Sequence, residues 1–273
     1  ANKWNKIIVT NNKEQIWVHP FGNLSGAEKN WIPLQHGPNG YHNWSGITPT
    51  QDLVMAFEFE DGTMPKGMTK PGDHQVGNPY NGREPRFYAT VGTDGNEWGR
   101  PRPADAKGLD PTPLGRLQCG YYEVSDGDAD ITLDLPTGEK VKFKGMNGID
   151  TRKGPIEDWN GSWTGYYERK LVDPTVDGQY YPQLVPWTYI RLAEMYLTQA
   201  EALARAGKTT EAQEVFTKFQ ITRDPSYKSK GNSGDALAEE IMNSRRIELW
   251  GEGFRFYDLK RLNLPIKRGS NFD

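Results

Sequence analysis

The sequence predicts a mainly α-helical fold with extensive irregular loops and minor β-strands. Three observations carry that expectation. A 3.6-residue apolar period is sustained after Pro186, and the region before it is dense in turn dipeptides. The third is composition: nine Trp and 12% aromatic residues set the chain apart from a disordered one, whereas 35% hydrophobic residues, 30 Gly and 19 Pro predict long connections around the core.

Residues 1–185 read as a loop-rich region, punctuated by Pro38-Asn39, Asp61-Gly62, Pro71-Gly72, Asn81-Gly82, Asp94-Gly95 and Thr137-Gly138. Short strands are expected between the turns at Lys6–Val9, Gln15–Val18, Phe87–Val91 and Lys140–Phe143. "PTQDLVMAFE" is the exception, a helix near 50–60 that Thr50 can cap, with Leu53, Ala56 and Phe57 on one face and "EDG" as its stop.

Residues 186–264 read as helical and 265–273 as a tail. In "PWTYIRLAEMYLTQAEALARAG" the positions Tyr189, Leu192, Ala193, Tyr196, Leu197, Ala200, Leu203 and Ala204 share a face. Gly207 closes this helix and Thr209 or Thr210 opens the next, whose apolar face is Ala212, Val215, Phe216 and Phe219. The small residues where the two helices cross make the pair tetratricopeptide-like, and one such unit leaves a face to be covered. A third helix is expected from Ser233 or Asp235 through Trp250. On it Arg245, Glu248, Glu252 and Arg255 step by three or four residues, with Asp258 in extension. Such a stripe is either a solvated ladder or a buried ion-pair network; the flanking Leu249, Trp250, Phe254, Phe256 and Tyr257 favour the buried form, in which Gly251 and Gly253 permit close contact or a bend.

Composition excludes several functions. A net charge of −3, mixed along the chain, gives no footprint for nucleic acid. The single Cys119 rules out an internal disulfide framework or a thiolate zinc cluster. No run of eighteen apolar residues is present, and the N-terminus lacks the zones of a signal peptide; it enters directly into strand-like alternation, which suggests a fragment or processed product. There is no His-Glu-x-x-His, Gly-x-Ser-x-Gly, phosphate-binding or dinucleotide motif, and His19, His36, His42 and His74 lack metal-ligand spacing. No catalytic residue and no metal ligand is therefore assigned, and the protein is not expected to be an enzyme. Asp126, Asp128 and Asp130 alternate in a way that admits calcium, but Ile131 stands where a calcium loop needs Gly. Glu58 with Glu60, or Glu157 with Asp158, could be nominated for glycoside hydrolysis.

"EQIWVHP", "PTQDLVMAFEFEDG", "REPRFYATV" and "GYYERK" follow one another ahead of "YIRLAEMYLTQAEALARAG" and "RRIELWGEGFRFYDLKR". In that order they resemble segments of the SusD/RagB family of outer-membrane glycan-binding lipoproteins, the last two its C-terminal signature. The departure is Glu84-Pro85-Arg86, where the family usually has Asp-Pro-Arg. The likeness covers the C-terminal half of a typical member; the lipid-bearing N-terminal part has no counterpart here. It implies a SusD-like fold, a cell-surface location at the outer membrane, and non-catalytic capture of oligosaccharide or polysaccharide for a SusC-like TonB-dependent transporter. The alternatives are a glycoside hydrolase and a helical-repeat scaffold for peptides.

Sugars offer flat apolar faces and hydroxyls, which Trp and Tyr rings and neighbouring amides can match. Seven of the nine Trp (Trp4, Trp17, Trp31, Trp44, Trp98, Trp159 and Trp163) precede the helical region, among Asn, Gln and Gly. Trp31, Tyr41 and Trp44 lie where the resemblance places binding aromatics, with Asn43, Asn39 and Gln35 as hydroxyl partners. Trp98, Trp159 and Trp163 complete the candidate ligand-binding set, while Trp187 and Trp250 are assigned to the core.

Overall fold

The computed structural model describes residues 8–22, 30–65, 80–110, 115–122, 131–134, 140–143, 146–181 and 183–266. In chain order these contain β1 (Gln15–His19), α1 (Ile32–His36), a 3-10 turn (Asn39–Tyr41), α2 (Gln51–Val54), α3 (Pro85–Thr90), β2 (Val91–Gly92) and α4 (Ala104–Lys107). They continue with β3 (Tyr121–Tyr122), β4 (Ile131–Asp134), β5 (Lys140–Phe143), β6 (Met146–Asn147), β7 (Tyr167–Glu168), β8 (Trp187–Arg191), α5 (Leu192–Arg205), α6 (Thr209–Arg223), α7 (Gly234–Glu248) and α8 (Arg255–Arg261). Among the described residues the strands join only as two-stranded antiparallel ribbons: β1–β8, β2–β7, β3–β6 and β4–β5. The architecture is mainly helical with minor β structure.

Helices α5, α6 and α7 pack around Ala193, Leu197, Ala200, Ala204, Ala212, Phe216, Phe219, Leu237, Ala238 and Ile241. Alanines at the crossing let the α5 and α6 backbones approach, and Gly207, at φ +75°, turns the chain between them. The cover for this hairpin comes from α7. A second core joins α2 and α3 to Tyr166 and Ile247. Thr50 caps α2 by accepting from the Leu53 backbone N–H at 3.3 Å. A third core holds Tyr41, Trp98, Leu117, Tyr167 and Val172 beneath the loops.

Four expectations are corrected. Ile8 and Val9 are helical rather than extended. Phe87–Thr90 lies in α3, because Pro85 in the first turn presets helical φ, and only Val91 joins a strand. Residues 187–191 form β8 instead of beginning the helix; Trp187, Thr188 and Ile190 are β-favouring residues that pair with β1. Finally, α7 stops at Glu248, and Gly251 and Gly253 adopt φ of +79° and +89° before α8 starts.

That break lets the charged stripe fold back on itself. Arg191 is 1% exposed and donates to Glu252 Oε2, Glu252 Oε1, Glu248 Oε1, Glu14 Oε1 and the Glu248 backbone oxygen, each at 2.7 Å. Lys170 Nζ donates to the Glu248 and Trp250 carbonyls at 2.7 and 2.8 Å and pairs with Glu252. Arg223 bridges Glu14 at 2.6 Å and Glu248 at 3.1 Å, and Arg86 joins Glu84 at 2.7 Å and Glu248 at 3.4 Å. Four carboxylates (Glu14, Glu84, Glu248, Glu252) thus meet four cations (Arg86, Lys170, Arg191, Arg223) drawn from the whole length of the chain. The buried form of the stripe is the one adopted. Arg245 and Arg255 take no part in this cluster; Arg245 pairs with Asp258 at 3.0 Å and Glu194 at 3.6 Å.

Candidate functional site

The loop from Asn30 to Ile47 holds two exposed indoles in place. Asn30 donates to the Val185 carbonyl at 2.7 Å and accepts from Ile32 N–H at 3.0 Å, which fixes the backbone on either side of Trp31. The chain returns across α1, with Trp44 N–H donating to Leu34 O at 2.8 Å and Ile47 N–H to Gln35 O at 2.9 Å. Two left-handed residues, His42 at φ 59° and Ser45 at φ 53°, make that return tight. Gly37 is required there, since a Cβ would come within 2.5 Å of the Asn43 side chain. His42 then clamps the loop: Nδ1 lies 2.7 Å from Asp177 and Nε2 3.0 Å from Asp105.

The outcome is an offset-stacked pair, Trp31 and Trp44, with ring centroids 6.2 Å apart and planes 21° from parallel. They are 51% and 40% exposed. A second aromatic group stands on the 152–163 loop. Trp159 and Trp163 are 65% and 78% exposed; the Arg152 guanidinium lies 3.8 Å from the Trp163 ring centroid and donates to the Trp159 carbonyl at 2.5 Å. Thr164 Oγ1 donates to Pro49 O at 2.6 Å, tying this loop to the chain just past Trp44.

Three members of the candidate set are corrected. Tyr41 and Trp98 are core residues with rings 6.0 Å apart, and neither has a face open to a ligand. Tyr41 lies under Arg102 and Arg100 and donates its hydroxyl to the Gly115 carbonyl. Burial pushes its phenol pKa up, Arg102 opposes and Asp150 reinforces, so it remains a donor. Asn43 is buried and donates to the Tyr41 carbonyl at 3.0 Å; Asn39 is also buried, accepting from Tyr167 Oη. These side chains build the loop. Half-buried Trp187 and Trp250 are only partly core residues.

Tyr180 and Tyr181 were missed by sequence reasoning. Both are exposed on the segment that carries Asp177, and Tyr180 meets His42 edge-on at 5.1 Å. Gly178 sits where a Cβ would lie 3.6 Å from both Asn43 Oδ1 and Leu34 Cδ1, so the two loops run side by side. The adjacent "TVDGQYYP" carried a turn signal and a Tyr pair that could have flagged them.

Glu58 is paired with Lys230 at 2.6 Å, and burial raises the Cys119 thiol pKa, which disfavours a thiolate. Among the described residues no group of three or more His, Cys, Asp and Glu is arranged to hold a metal, and no helix is long and apolar enough to cross a membrane. Trp4, His74 and the Asp126–Asp130 stretch considered for calcium lie outside the described residues.

The mainly helical frame with minor two-stranded ribbons matches the fold of SusD-like proteins. The model of the SusD family matches residues 13–271, and the chain belongs to that family. A SusD-like protein of Formosa agariphila, P38, is 35% identical over 109 residues, which are 37% of this chain and 20% of that protein. The crystal structure of a SusD-like protein from Bacteroides fragilis is similar with a TM-score of 0.65 at 26% identity, over 96% of this chain and 46% of that one. A SusD-like carbohydrate-binding protein from the same species shares the fold, with a TM-score of 0.61 at 21% identity over 92% of this chain and 42% of its own. The chain thus spans less than half the length of these relatives. The family is one of non-catalytic carbohydrate-binding proteins, typically lipoproteins of the outer-membrane surface.

Proposed function

We propose that this chain is part of a protein at the outer-membrane surface that captures oligosaccharide or polysaccharide without turnover and delivers it to a SusC-like TonB-dependent transporter. The observation that carries this reading is the Trp31–Trp44 pair, two near-parallel indoles half open to solvent on a loop anchored at both ends. Tyr180, exposed and edge-on to His42 of the same loop, and the exposed Tyr181 add further rings, and Trp159 and Trp163 supply another platform. Covering half an indole removes on the order of 100 Å² from water, or roughly 2 kcal/mol before ordering costs. Two or three such platforms support micromolar to millimolar affinity, about 4 to 8 kcal/mol, suited to release. Asn39 and Asn43 are committed to the fold, so hydroxyl partners are expected from the half-buried Gln35 and from loop backbone.

The reading is tested by glycan-array binding and titration calorimetry on Trp31→Ala and Trp44→Ala. Affinity is expected to fall by about tenfold or more in each; unchanged affinity in both would remove the pair from the site. Release of reducing sugar by the purified protein would favour the hydrolase instead.

A further inference from the structure

A cavity of about 670 Å³ opens between the start of α2, the break that separates α7 from α8, and the chain just past α8. No residue of the Asn30–Ile47 loop lines it. Gly251 and Gly253, both at positive φ, turn the chain between the two helices and leave that wall without side chains. The lining is otherwise apolar, with buried Leu53 and Leu249, partly buried Trp250 and Phe254, and exposed Phe256 and Leu264. Two cations interrupt it. Arg246 is held by Asp52, a carboxylate that is itself exposed.

Arg255 stands differently. Of the charged stripe, Arg245 pairs with Asp258, while Glu248 and Glu252 receive Arg191. Among the described residues no hydrogen bond or ion pair reaches the Arg255 guanidinium, although it is partly buried. Burial lowers its pKa and the neighbouring Arg246 adds to the effect, against Asp258 and Asp52. Arg246 and Asp52 both line the cavity, so their influence sets the charged end of Arg255 on that side. Five N–H donors, half withdrawn from water beside a like charge, are stabilised by an anion that brings acceptors. A bare inorganic anion would leave the rings and leucines uncovered, and the volume falls in the range of about 300–1,000 Å³ that takes ligands of several groups. Charge complementarity and the apolar walls together select carboxylates carried beside apolar side chains, which an extended polypeptide presents in alternation.

We propose that this groove docks an extended acidic and apolar segment of a partner protein, whose carboxylate pairs with Arg255 and whose apolar side chains cover Trp250, Phe254 and Phe256. The test uses the full chain, labelled with nitrogen-15 at arginine, and the blocked tetrapeptide Phe-Glu-Leu-Asp as probe, read by calorimetry and by the Arg255 Nε–H resonance. The probe is expected to bind with a Kd of about 1 mM or below and to shift that resonance. Blocked Phe-Gln-Leu-Asn, which is neutral, and blocked Ser-Glu-Ser-Asp, which lacks apolar side chains, should each bind about tenfold more weakly. Arg255→Gln should weaken the probe by about fivefold or more and leave the melting temperature in place, because it breaks no internal pairing. Asp52→Asn releases Arg246 and should tighten the probe by about twofold or more. Phe256→Glu, which sets a like charge at an exposed position of the lining, should abolish binding. The proposal is overturned if the probe fails to bind, if either control peptide binds as well, or if Arg255→Gln leaves the affinity unchanged. It is equally overturned if the probe binds only after Phe272→Ala and Asp273→Asn, which would make the occupant a segment of this same chain.

Discussion

Arg191 and Glu248 meet in the interior of the protein, with Arg191 Nη1 2.7 Å from Glu248 Oε1 and Nη2 2.7 Å from the Glu248 backbone oxygen. Glu248 also receives Arg223 and Arg86, so one carboxylate closes contacts from three other parts of the chain. Removing its charge strands buried guanidinium groups. Glu248→Ala is expected to cost about 3 to 5 kcal/mol in urea unfolding, while Asp52→Ala, at the exposed partner of Arg246, should cost less than about 1 kcal/mol. Equal costs would contradict the assignment of the network as the fold's clasp.

Acid titration gives a second test. Burial opposes ionisation of Glu248, but Arg223, Arg191 and Arg86 prevail and hold its pKa at about 2, below its ordinary 4.5. A carboxyl with a lowered folded-state pKa stabilises the fold above 4.5 and loses that contribution as pH falls toward 2. The stability difference between wild type and Glu248→Gln should therefore shrink across this window, by about 3 kcal/mol in all. Thermal melts across the window check it; a difference independent of pH would refute it.

Gly251 and Gly253 are expected to respond differently to alanine. Both adopt positive φ, costing a non-glycine residue about 1 to 2 kcal/mol, but a Cβ on Gly251 would also lie 2.8 Å from Leu171 Cδ1, whereas one on Gly253 meets nothing within 4 Å. Gly251→Ala should lower the melting temperature more than Gly253→Ala.

Trp163 and Trp98 separate binding from folding. Trp163→Ala should change stability by no more than about 1 kcal/mol, the worth of its contact with Arg152, and weaken glycan binding. Trp98→Ala empties a core position and should cost about 3 to 5 kcal/mol. The two are measured by paired unfolding and affinity assays; a Trp98 variant that folds normally would contradict its place in the core.

The helical hairpin was legible because Leu197, Ala200, Ala204, Ala212 and Phe216 recur at the helical period, and the Thr50 cap because it is a local interaction. β8 was misread because Tyr189 and Leu192 continue the helical spacing upstream by coincidence, and only pairing with a strand some 170 residues earlier decides the matter. The buried network was half legible. Burial was expected from its apolar flanks, yet of these only Leu249 is buried while Phe256 and Tyr257 are exposed; the burial comes from Glu14, Arg86 and Lys170, which arrive from far along the chain. Loop aromatics were the least legible. Tyr41 and Trp44 stand three residues apart in similar sequence, yet one sinks beneath Arg102 while the other faces water.

The pairing of β1 with β8, and of Glu14 with Arg223 at a separation of 209 residues, bears on biogenesis. During synthesis the early strand leaves the ribosome long before its mate exists; its ribbon edge stays unsatisfied until β8 emerges, and Glu14 gains Arg223 only when α6 follows. The latch therefore closes only once Glu248 and Glu252 have been made. A holding chaperone acting on the waiting strand would have its greatest effect before residue 248 appears, and a stop codon upstream of it would leave a chain that never closes.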